Sequence, residues 1–247
     1  MNKFYVKTNL LKNNYRGEPV LVIGGIIYSI SLLFYWLFLF FISPITGLDR
    51  LIFLLVIIAS VSLLDDLIGN KEEQGFKGHF SSLLSGRLTT GGLKAIVALA
   101  AVLLVLLEDD FFNLLINTGI ILLSTNFFNL LDLRPGRSIK YFILVSSLIL
   151  FIYPELYIYY LPVYFISIFY LPYEMKASVM LGDTGANVLG AVLAYGLLQT
   201  SFSLRLIFVI ILLLLNLLSE KYSFTEYIAA NHFLKWFDDL GRLNKEP

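Results

Sequence analysis

The sequence predicts an all-α polytopic membrane protein with about eight transmembrane helices, and three observations carry that prediction. Of the 247 residues, 58% are hydrophobic and only 15% are charged, with a mean hydropathy of +0.80, which is far outside the usual range for a soluble domain. Apolar runs recur along nearly the whole chain. The basic residues between these runs fall mostly on one side of the predicted membrane.

The apolar runs leave no room for a separate soluble domain. We predict a cytoplasmic segment over 1–18, a transmembrane domain over 19–219, and a cytoplasmic or interfacial helix over 220–247. The candidate spans are 19–43, 51–64, 93–107, 111–131, 141–153, 156–171, 187–200 and 204–218. Several are shorter than the roughly 20 residues that a crossing helix needs, so their polar ends should lie at headgroup level or inside the bundle. A cleaved signal peptide is not expected, because no small-residue cleavage site follows the first apolar stretch.

The distribution of basic residues predicts the orientation. With the N-terminus inside, sixteen of the eighteen Lys and Arg residues lie on the cytoplasmic side, and only Arg50 and Arg205 lie outside. We therefore expect a multi-pass protein of the cytoplasmic membrane with both termini and the functional site on the cytoplasmic side. The net charge of zero and the scattered basic residues exclude nucleic-acid binding. The acids of the outer turns, Asp49, Glu108, Asp109, Asp110 and Glu155, lie in loops that we expect to be too short to build a site.

An acidic pair, Asp65 and Asp66, follows directly on the apolar run that ends at Leu64. An acid near the membrane core costs about 2.5 to 3.5 kcal/mol on insertion scales, which makes it a functional candidate. Because neighbouring helical residues point about 100 degrees apart, the two acids should do different jobs. A bound cation would relieve their repulsion, and without cysteine it should be a hard ion, Mg²⁺ or Mn²⁺ in its place. The alternative is that the pair caps a helix end.

A polar stripe lies in the segment NFFNLLD, where Asn126, Asn129 and Asp132 share one face of a helix. Amides ending in an acid can hydrogen-bond a heterocycle or a sugar. Alternatively, such amides join neighbouring membrane helices.

The segment GDTGAN opens the span at 187–200 and carries Asp183 between two glycines. The glycines would let the backbone approach a ligand, and N–H groups at a helix N-terminus favour phosphate. Asp183 would then hold a metal ion that bridges the phosphate. Its alternative role is that of a helix N-cap.

The C-terminal segment predicts an interfacial amphipathic helix. Ser223 and Glu226 have the spacing of a capping box, and Gly241 marks the predicted end of the helix. Asp238 and Asp239 are expected on the solvated face.

Three motifs in this order, LLDDLIG, NFFNLLD and MLGDTGANVLGA, resemble the polyprenyl-phosphate sugar-1-phosphate transferases. This superfamily contains phospho-N-acetylmuramoyl-pentapeptide transferase and its N-acetylglucosamine-1-phosphate relatives. The segment YRGEPVLVIGG resembles the loop and Gly-Gly that open an early helix of the family, so the resemblance runs from residue 15 to residue 219.

The resemblance implies transfer of a sugar-1-phosphate, of N-acetylhexosamine type, from a UDP-sugar to polyprenyl (undecaprenyl) phosphate, with release of UMP. The product would serve synthesis of a cell-envelope glycopolymer such as peptidoglycan. The resemblance implies Asp65, Asp66 and Asp183 as catalytic residues, with Asp183 and Asp66 as the ligands of Mg²⁺. It implies Asn126, Asn129 and Asp132 as nucleotide-side contacts. Lys77 and His79, in a basic inner loop, would grip a diphosphate or a lipid phosphate, although a solvated loop explains them equally well.

The chain departs from the family pattern at three positions. Leu133 stands in place of a glycine, Pro135 in place of an acid, and Gly69 in place of a lysine. These departures favour a second hypothesis, a catalytically degenerate member that binds lipid phosphate or nucleotide sugar and regulates envelope synthesis. A homodimer stays open under either hypothesis, with membrane lipid as the surrounding partner.

Overall fold

The computed structural model describes residues 11–14, 17–21, 23–43, 45–68 and 90–242. Within these ranges the chain forms ten α-helices and a short two-stranded hairpin. The predicted helical class is confirmed, and the apolar helices are consistent with a membrane protein. The hairpin was not predicted.

The helices follow one another with short connections. They are α1 (Ile23–Ile42), α2 (Leu48–Ile68), α3 (Thr90–Val105), α4 (Phe111–Leu131), α5 (Arg137–Ile152), α6 (Tyr157–Met175), α7 (Gly182–Leu197), α8 (Phe202–Ser219), α9 (Phe224–Ala230) and α10 (His232–Asp239). A single 3-10 turn, Pro154–Leu156, separates α5 from α6. Each of the eight predicted spans overlaps one of the helices α1 to α8.

The hairpin pairs β1 (Leu11–Asn13) with β2 (Pro19–Leu21) in antiparallel register. The side chain of Asn14 accepts a hydrogen bond from the backbone N–H of Glu18 at 3.0 Å, which closes the turn. Gly17 within this turn has a φ of 77°, which suits a residue without Cβ. The predicted span over 19–43 is therefore wrong at its start, because this turn holds the chain extended through Leu21 and the helix begins at Ile23.

Helix α7 lies at the centre of the bundle, and all its residues from Thr184 to Leu197 are buried. Small residues allow its neighbours to approach this closely. A Cβ on Gly190 would lie 2.6 Å from the carbonyl oxygen of Ser124 on α4, and a Cβ on Gly25 of α1 would lie 1.7 Å from that of Leu181. Backbone thus packs directly on backbone at both contacts.

Within the described ranges, four helical segments are long and apolar enough to cross a membrane. They are Ile23–Ile42, Phe111–Leu131, Pro154–Met175 and Phe202–Ser219. Their outward faces are apolar; in α8, for example, only Leu212 and Asn216 are buried. Such an exposed apolar surface is typical of contact with lipid. The crossing of all eight segments, and the side on which the termini lie, stay predictions.

The helices define two ends of the bundle. At the first, which we call the Asp183 end, α2 and α4 end and α7 begins, as the hydrogen bonds from Thr184 to Asp66 show. At the second, the Arg205 end, α4 and α8 begin, as the hydrogen bond from Arg205 to Asn117 shows.

Candidate active site

The first turn of α7 is the meeting point of the Asp183 end. Thr184 donates two hydrogen bonds to Oδ2 of Asp66, from its backbone N–H at 3.0 Å and from its hydroxyl at 2.7 Å. Asp66 is only 5% exposed. Its carboxylate therefore caps the positive N-terminal end of α7. The sequence left open that the acidic pair caps a helix end, and Asp66 does cap one. The helix that it caps is α7, whereas Asp66 itself lies on α2.

Asp132 reaches the same turn from the C-terminal end of α4. It accepts hydrogen bonds from the backbone N–H of Gly182 and from the hydroxyl of Ser138 at 3.4 Å. Burial, together with the negative charges of Glu174 and Asp183, raises the pKa of Asp132 well above its ordinary value. Two acids from separate helices thus converge on the turn that carries Asp183.

A lysine lies between the two other acids of the site. The ammonium group of Lys94, on α3, is 3.3 Å from Oδ2 of Asp65 and 3.0 Å from Oδ2 of Asp183. All three side chains are partly buried, with 20% to 31% exposed. The carboxylates of Asp65 and Asp183 therefore share one cation. Sequence reasoning counted Lys94 only as a basic residue of the inner side. A charged residue near the start of an apolar helix is costly, and this position could have marked Lys94 as a site residue.

Sequence reasoning also missed Glu174, near the C-terminal end of α6. This acid is 3% exposed and accepts hydrogen bonds from the backbone N–H groups of Gly136 and Leu181. Its Oε2 has no hydrogen-bond partner within the described part of the chain. The signal was an acid inside the apolar segment YLPYEMK, which sequence reasoning treated as the end of a span.

A narrow cleft opens beside Glu174. Its walls are formed by Asn14, Asp132, Leu133, Arg134, Pro135, Glu174, Ala177, Val179 and Met180. The cleft offers only about 20 Å³, which is room for about one water molecule. A nucleotide sugar would therefore have to lie mainly on the surface around the cleft.

The predicted amide stripe divides between two environments. Nδ2 of Asn126 donates to Oδ1 of Asn216 on α8 at 2.6 Å, and Asn216 is buried. Asn126 thus joins two helices, which is the alternative that the sequence allowed. Asn129 is half-buried, and its carbonyl accepts from the N–H of Asp132 at 3.2 Å.

The second glycine of GDTGAN, Gly185, contacts protein. A Cβ on Gly185 would lie 2.5 Å from the side chain of Leu181 and 3.1 Å from Cα of Gly25. This glycine therefore serves the close packing of α7 against α1, where the sequence interpretation expected the approach of a ligand.

The C-terminal helices are fixed to the site by a buried ion pair. Arg137, which is 1% exposed, binds Asp238 through two hydrogen bonds, Nε to Oδ1 at 2.9 Å and Nη2 to Oδ2 at 2.7 Å. Arg242 binds the same carboxylate at 2.9 Å. Burial opposes ionisation of Asp238, but the hydrogen bonds and charge of Arg137 outweigh it and hold its pKa below the ordinary value. The predicted solvated position of Asp238 is wrong, because Arg137 draws it inside.

The C-terminal segment forms two helices where one was predicted. Asn231 ends α9 and caps α10, accepting from the N–H of Leu234 at 3.1 Å. The predicted start is confirmed, since the hydroxyl of Ser223 accepts from the N–H of Glu226 at 3.4 Å. The predicted end is also confirmed, since Gly241 follows α10 with a φ of 80°.

Three of the residues singled out from the sequence, Gly69, Lys77 and His79, lie outside the described residues. Across the described ranges, no group of three or more His, Cys, Asp or Glu side chains is close enough to hold a metal ion by itself. Comparisons of the chain with protein-family models, curated proteins and solved structures found no match.

Proposed function

We propose that this chain is a magnesium-dependent transferase that moves a sugar-1-phosphate from a UDP-sugar to polyprenyl phosphate. The observation that supports this most directly is the convergence of Asp66 and Asp132 on the α7 turn beside Asp65, Lys94 and Asp183. Phosphoryl transfer depends mainly on positioning and on neutralisation of charge. A cluster of acids around one cation, at the end of an apolar bundle, offers both beside a lipid surface.

The donor set suits Mg²⁺. Asp65 and Asp183 offer hard carboxylate oxygens to one cationic position, which Lys94 fills here. Mg²⁺ characteristically binds one or two carboxylates and completes its shell with water and substrate phosphate, and Mn²⁺ can replace it. Asp183 keeps its proposed role as a ligand. Asp65 is the better second ligand, because Oδ2 of Asp66 is committed to the first turn of α7.

The acidic pair would then have divided roles. Asp65 faces the cation, while Asp66 is a positioning residue that holds the turn carrying Asp183. This division matches the expectation that adjacent helical residues cannot do the same job. Bound Mg²⁺ would neutralise the charge of the diphosphate.

The proposed reaction needs no reactant besides the lipid phosphate and the UDP-sugar. An oxygen of the lipid phosphate attacks the phosphorus that bears the sugar and forms a new P–O bond. The bond from that phosphorus to the bridging oxygen breaks, and UMP leaves with the electron pair. In this reaction Asp65 and Asp183 would hold the cation, while Asp132 would contact a polar group on the nucleotide side of the donor.

A second candidate is a regulator that binds lipid phosphate or a nucleotide sugar without turnover. The specific observation in its favour is that Lys94 already forms ion pairs with both Asp65 and Asp183. In addition, Leu133 and Pro135 line the narrow cleft, where the resembled family has a glycine and an acid.

One assay separates the two candidates. Purified full-length protein is incubated with undecaprenyl phosphate, Mg²⁺ and a panel of UDP-sugars, and UMP is measured. The transferase releases UMP from at least one donor, and only when the lipid phosphate is present. Binding of the lipid phosphate without UMP release from any donor would overturn the transferase in favour of the regulator.

A further inference from the structure

The Arg205 end contains a polar cleft of about 290 Å³, close to the lower size of small-molecule sites. The sequence had suggested that loops on this side are too short to build a site. The cleft is instead built from the ends of five helices and their connections, and its polar lining is Arg50, Asp109, Asn113, Asn117, Tyr195, Gln199 and Arg205. It lies at the opposite end of the bundle from the acidic site.

A buried amide connects the two charges at the cleft wall. Nη1 of Arg205 donates to Oδ1 of Asn117 at 2.8 Å, and Nδ2 of Asn117 donates to Oδ2 of Asp109 at 2.6 Å. Asn117 is 4% exposed. Because the amide of Asn117 stands between them, Arg205 makes no direct ion pair with Asp109. Arg205 also makes no ion pair with any other described residue.

Two buried polar atoms of the lining lack partners. Among the described residues, Nε of Arg205 and Oδ1 of Asn113 make no hydrogen bond. Buried polar atoms are costly to leave unpaired, and such atoms around one cleft suggest an external partner. The Nε and Nη groups of a guanidinium form a rigid fork that matches phosphate oxygens.

The neighbouring acids are engaged elsewhere. Glu108 pairs with Arg50 at 2.5 Å at the exposed mouth. Asp110 caps the start of α4 by accepting from the N–H groups of Phe112 and Asn113. Asp109 is held by Asn117. Asp109 keeps its negative charge, since Asn117 is neutral, but its carboxylate is bonded to that amide. Arg205 is therefore the cation of the lining that has no ion pair among the described residues.

We propose that this cleft binds a phosphate group through Arg205. The phosphate would belong either to a lipid headgroup or to free phosphate in solution, since the cleft lies at the end of an apolar bundle and is also open to water. The proposal does not depend on the transferase activity at the Asp183 end.

The experiment uses the purified full-length protein in detergent with three probes. These are inorganic phosphate, phosphatidylglycerol, and a diacylglycerol that lacks phosphate. Binding is measured by the shift of the thermal unfolding midpoint and by native mass spectrometry. We expect phosphatidylglycerol to bind and stabilise the protein more than diacylglycerol. If inorganic phosphate also stabilises the protein, the bare phosphate is sufficient for binding. If it does not, the phosphate is recognised as part of a lipid headgroup.

Two variants test the site itself. Arg205→Gln removes the charge, and the affinity for phosphatidylglycerol should fall about tenfold or more, as for a lost charge-assisted contact. Gln199→Glu adds a negative charge at an exposed position of the lining, where the glutamine side chain makes no hydrogen bond to the described residues. This charge should weaken phosphatidylglycerol binding severalfold by repulsion. Lys221→Gln, an exposed control beyond the end of α8, should bind as the wild type.

The proposal is overturned if no phosphate-bearing probe binds more tightly than diacylglycerol. It is also overturned if Gln199→Glu binds phosphatidylglycerol as well as Lys221→Gln does. Because Gln199 is exposed, this second comparison holds even where Arg205→Gln fails to fold.

Discussion

The two ends of the helical bundle satisfy their buried polar groups in different ways. At the Asp183 end, Asp66 and Asp132 accept hydrogen bonds from backbone N–H groups of α7, and Lys94 forms ion pairs with Asp65 and Asp183. At the Arg205 end, a cleft retains unpaired polar atoms. The charged groups of the first end thus contact one another, although Oε2 of Glu174 has no partner there among the described residues. At the second end, Nε of Arg205 and Oδ1 of Asn113 are left for a ligand. This contrast makes the two ends independently testable.

The largest expected effect concerns turnover at the Asp183 end. Asp183→Asn removes the carboxylate that Lys94 contacts at 3.0 Å, and we expect UMP release to fall by about 10² to 10³, as for the loss of one charge-stabilising group in an active site. Glu155→Gln, an exposed acid at the opposite end, is the matched control and should retain full activity. Equal rates for Asp183→Asn and the wild type, with both folded, would remove Asp183 from the mechanism.

The next effect concerns stability at the Asp183 end. Arg137→Gln leaves the buried carboxylate of Asp238 with Arg242 as its remaining cation. Breaking one side of a buried pair costs about 3 to 5 kcal/mol, so with Arg242 retained we expect a loss of roughly 2 to 3 kcal/mol in the free energy of unfolding.

Denaturant unfolding measures this change, and a second variant identifies its cause. In Arg137→Gln combined with Asp238→Asn, no buried charge is left unpaired, so part of the lost stability should return. A double variant that is less stable than Arg137→Gln would show that loss of the Arg137–Asp238 pair itself, and not the buried charge left on Asp238, determines the change.

A smaller effect tests whether Lys94 stands in the position of the metal ion. Lys94→Gln leaves Asp65 and Asp183 without their shared cation. In the presence of a chelator, the free energy of unfolding should fall by about 1 to 2 kcal/mol. This is less than for a fully buried pair, because the three side chains are partly exposed. Mg²⁺ should restore this stability, and its stabilising effect should exceed that in the wild type. An unchanged Mg²⁺ effect, with Lys221→Gln as the control, would argue against a shared position.

The residues of the Asp183 end stand out in the sequence more than those of the Arg205 end, for a physical reason. Acids such as Asp66 and Asp183 interrupt apolar runs, so each is visible as a local exception with a high cost of burial. Arg205, Asn117 and Asp109 lie near helix ends, where polar residues are ordinary, and only the fold shows that they share one cleft. Asp238 was misjudged because the pattern of a short helix cannot reveal a distant partner such as Arg137.

The same limit explains the elements that the sequence misplaced. The eight helical ranges follow from hydrophobic runs, and their positions were predicted well. The hairpin depends on Asn14 and Gly17 forming one turn, which the adjoining apolar run concealed. Glu174 and Lys94 were visible as charges in apolar segments, but their partners lie on other helices.

The smallest expected effect is a pH dependence that contrasts two acids of the Asp183 end. The pKa of Asp132 is raised in the folded protein, so the unfolded chain ionises first and the contribution of Asp132 to stability is lost as the pH rises above about 4. The lowered pKa of Asp238 has the opposite sign, since its stabilisation is present above about 4 and is lost as the pH falls through the folded-state value. Asp132→Asn should therefore raise stability near pH 7 relative to the wild type and have little effect at pH 4, because the wild-type acid is protonated there. Denaturant unfolding at the two pH values measures the difference, and a variant that is destabilised equally at both would show that Asp132 acts through its hydrogen bonds and not through its ionisation.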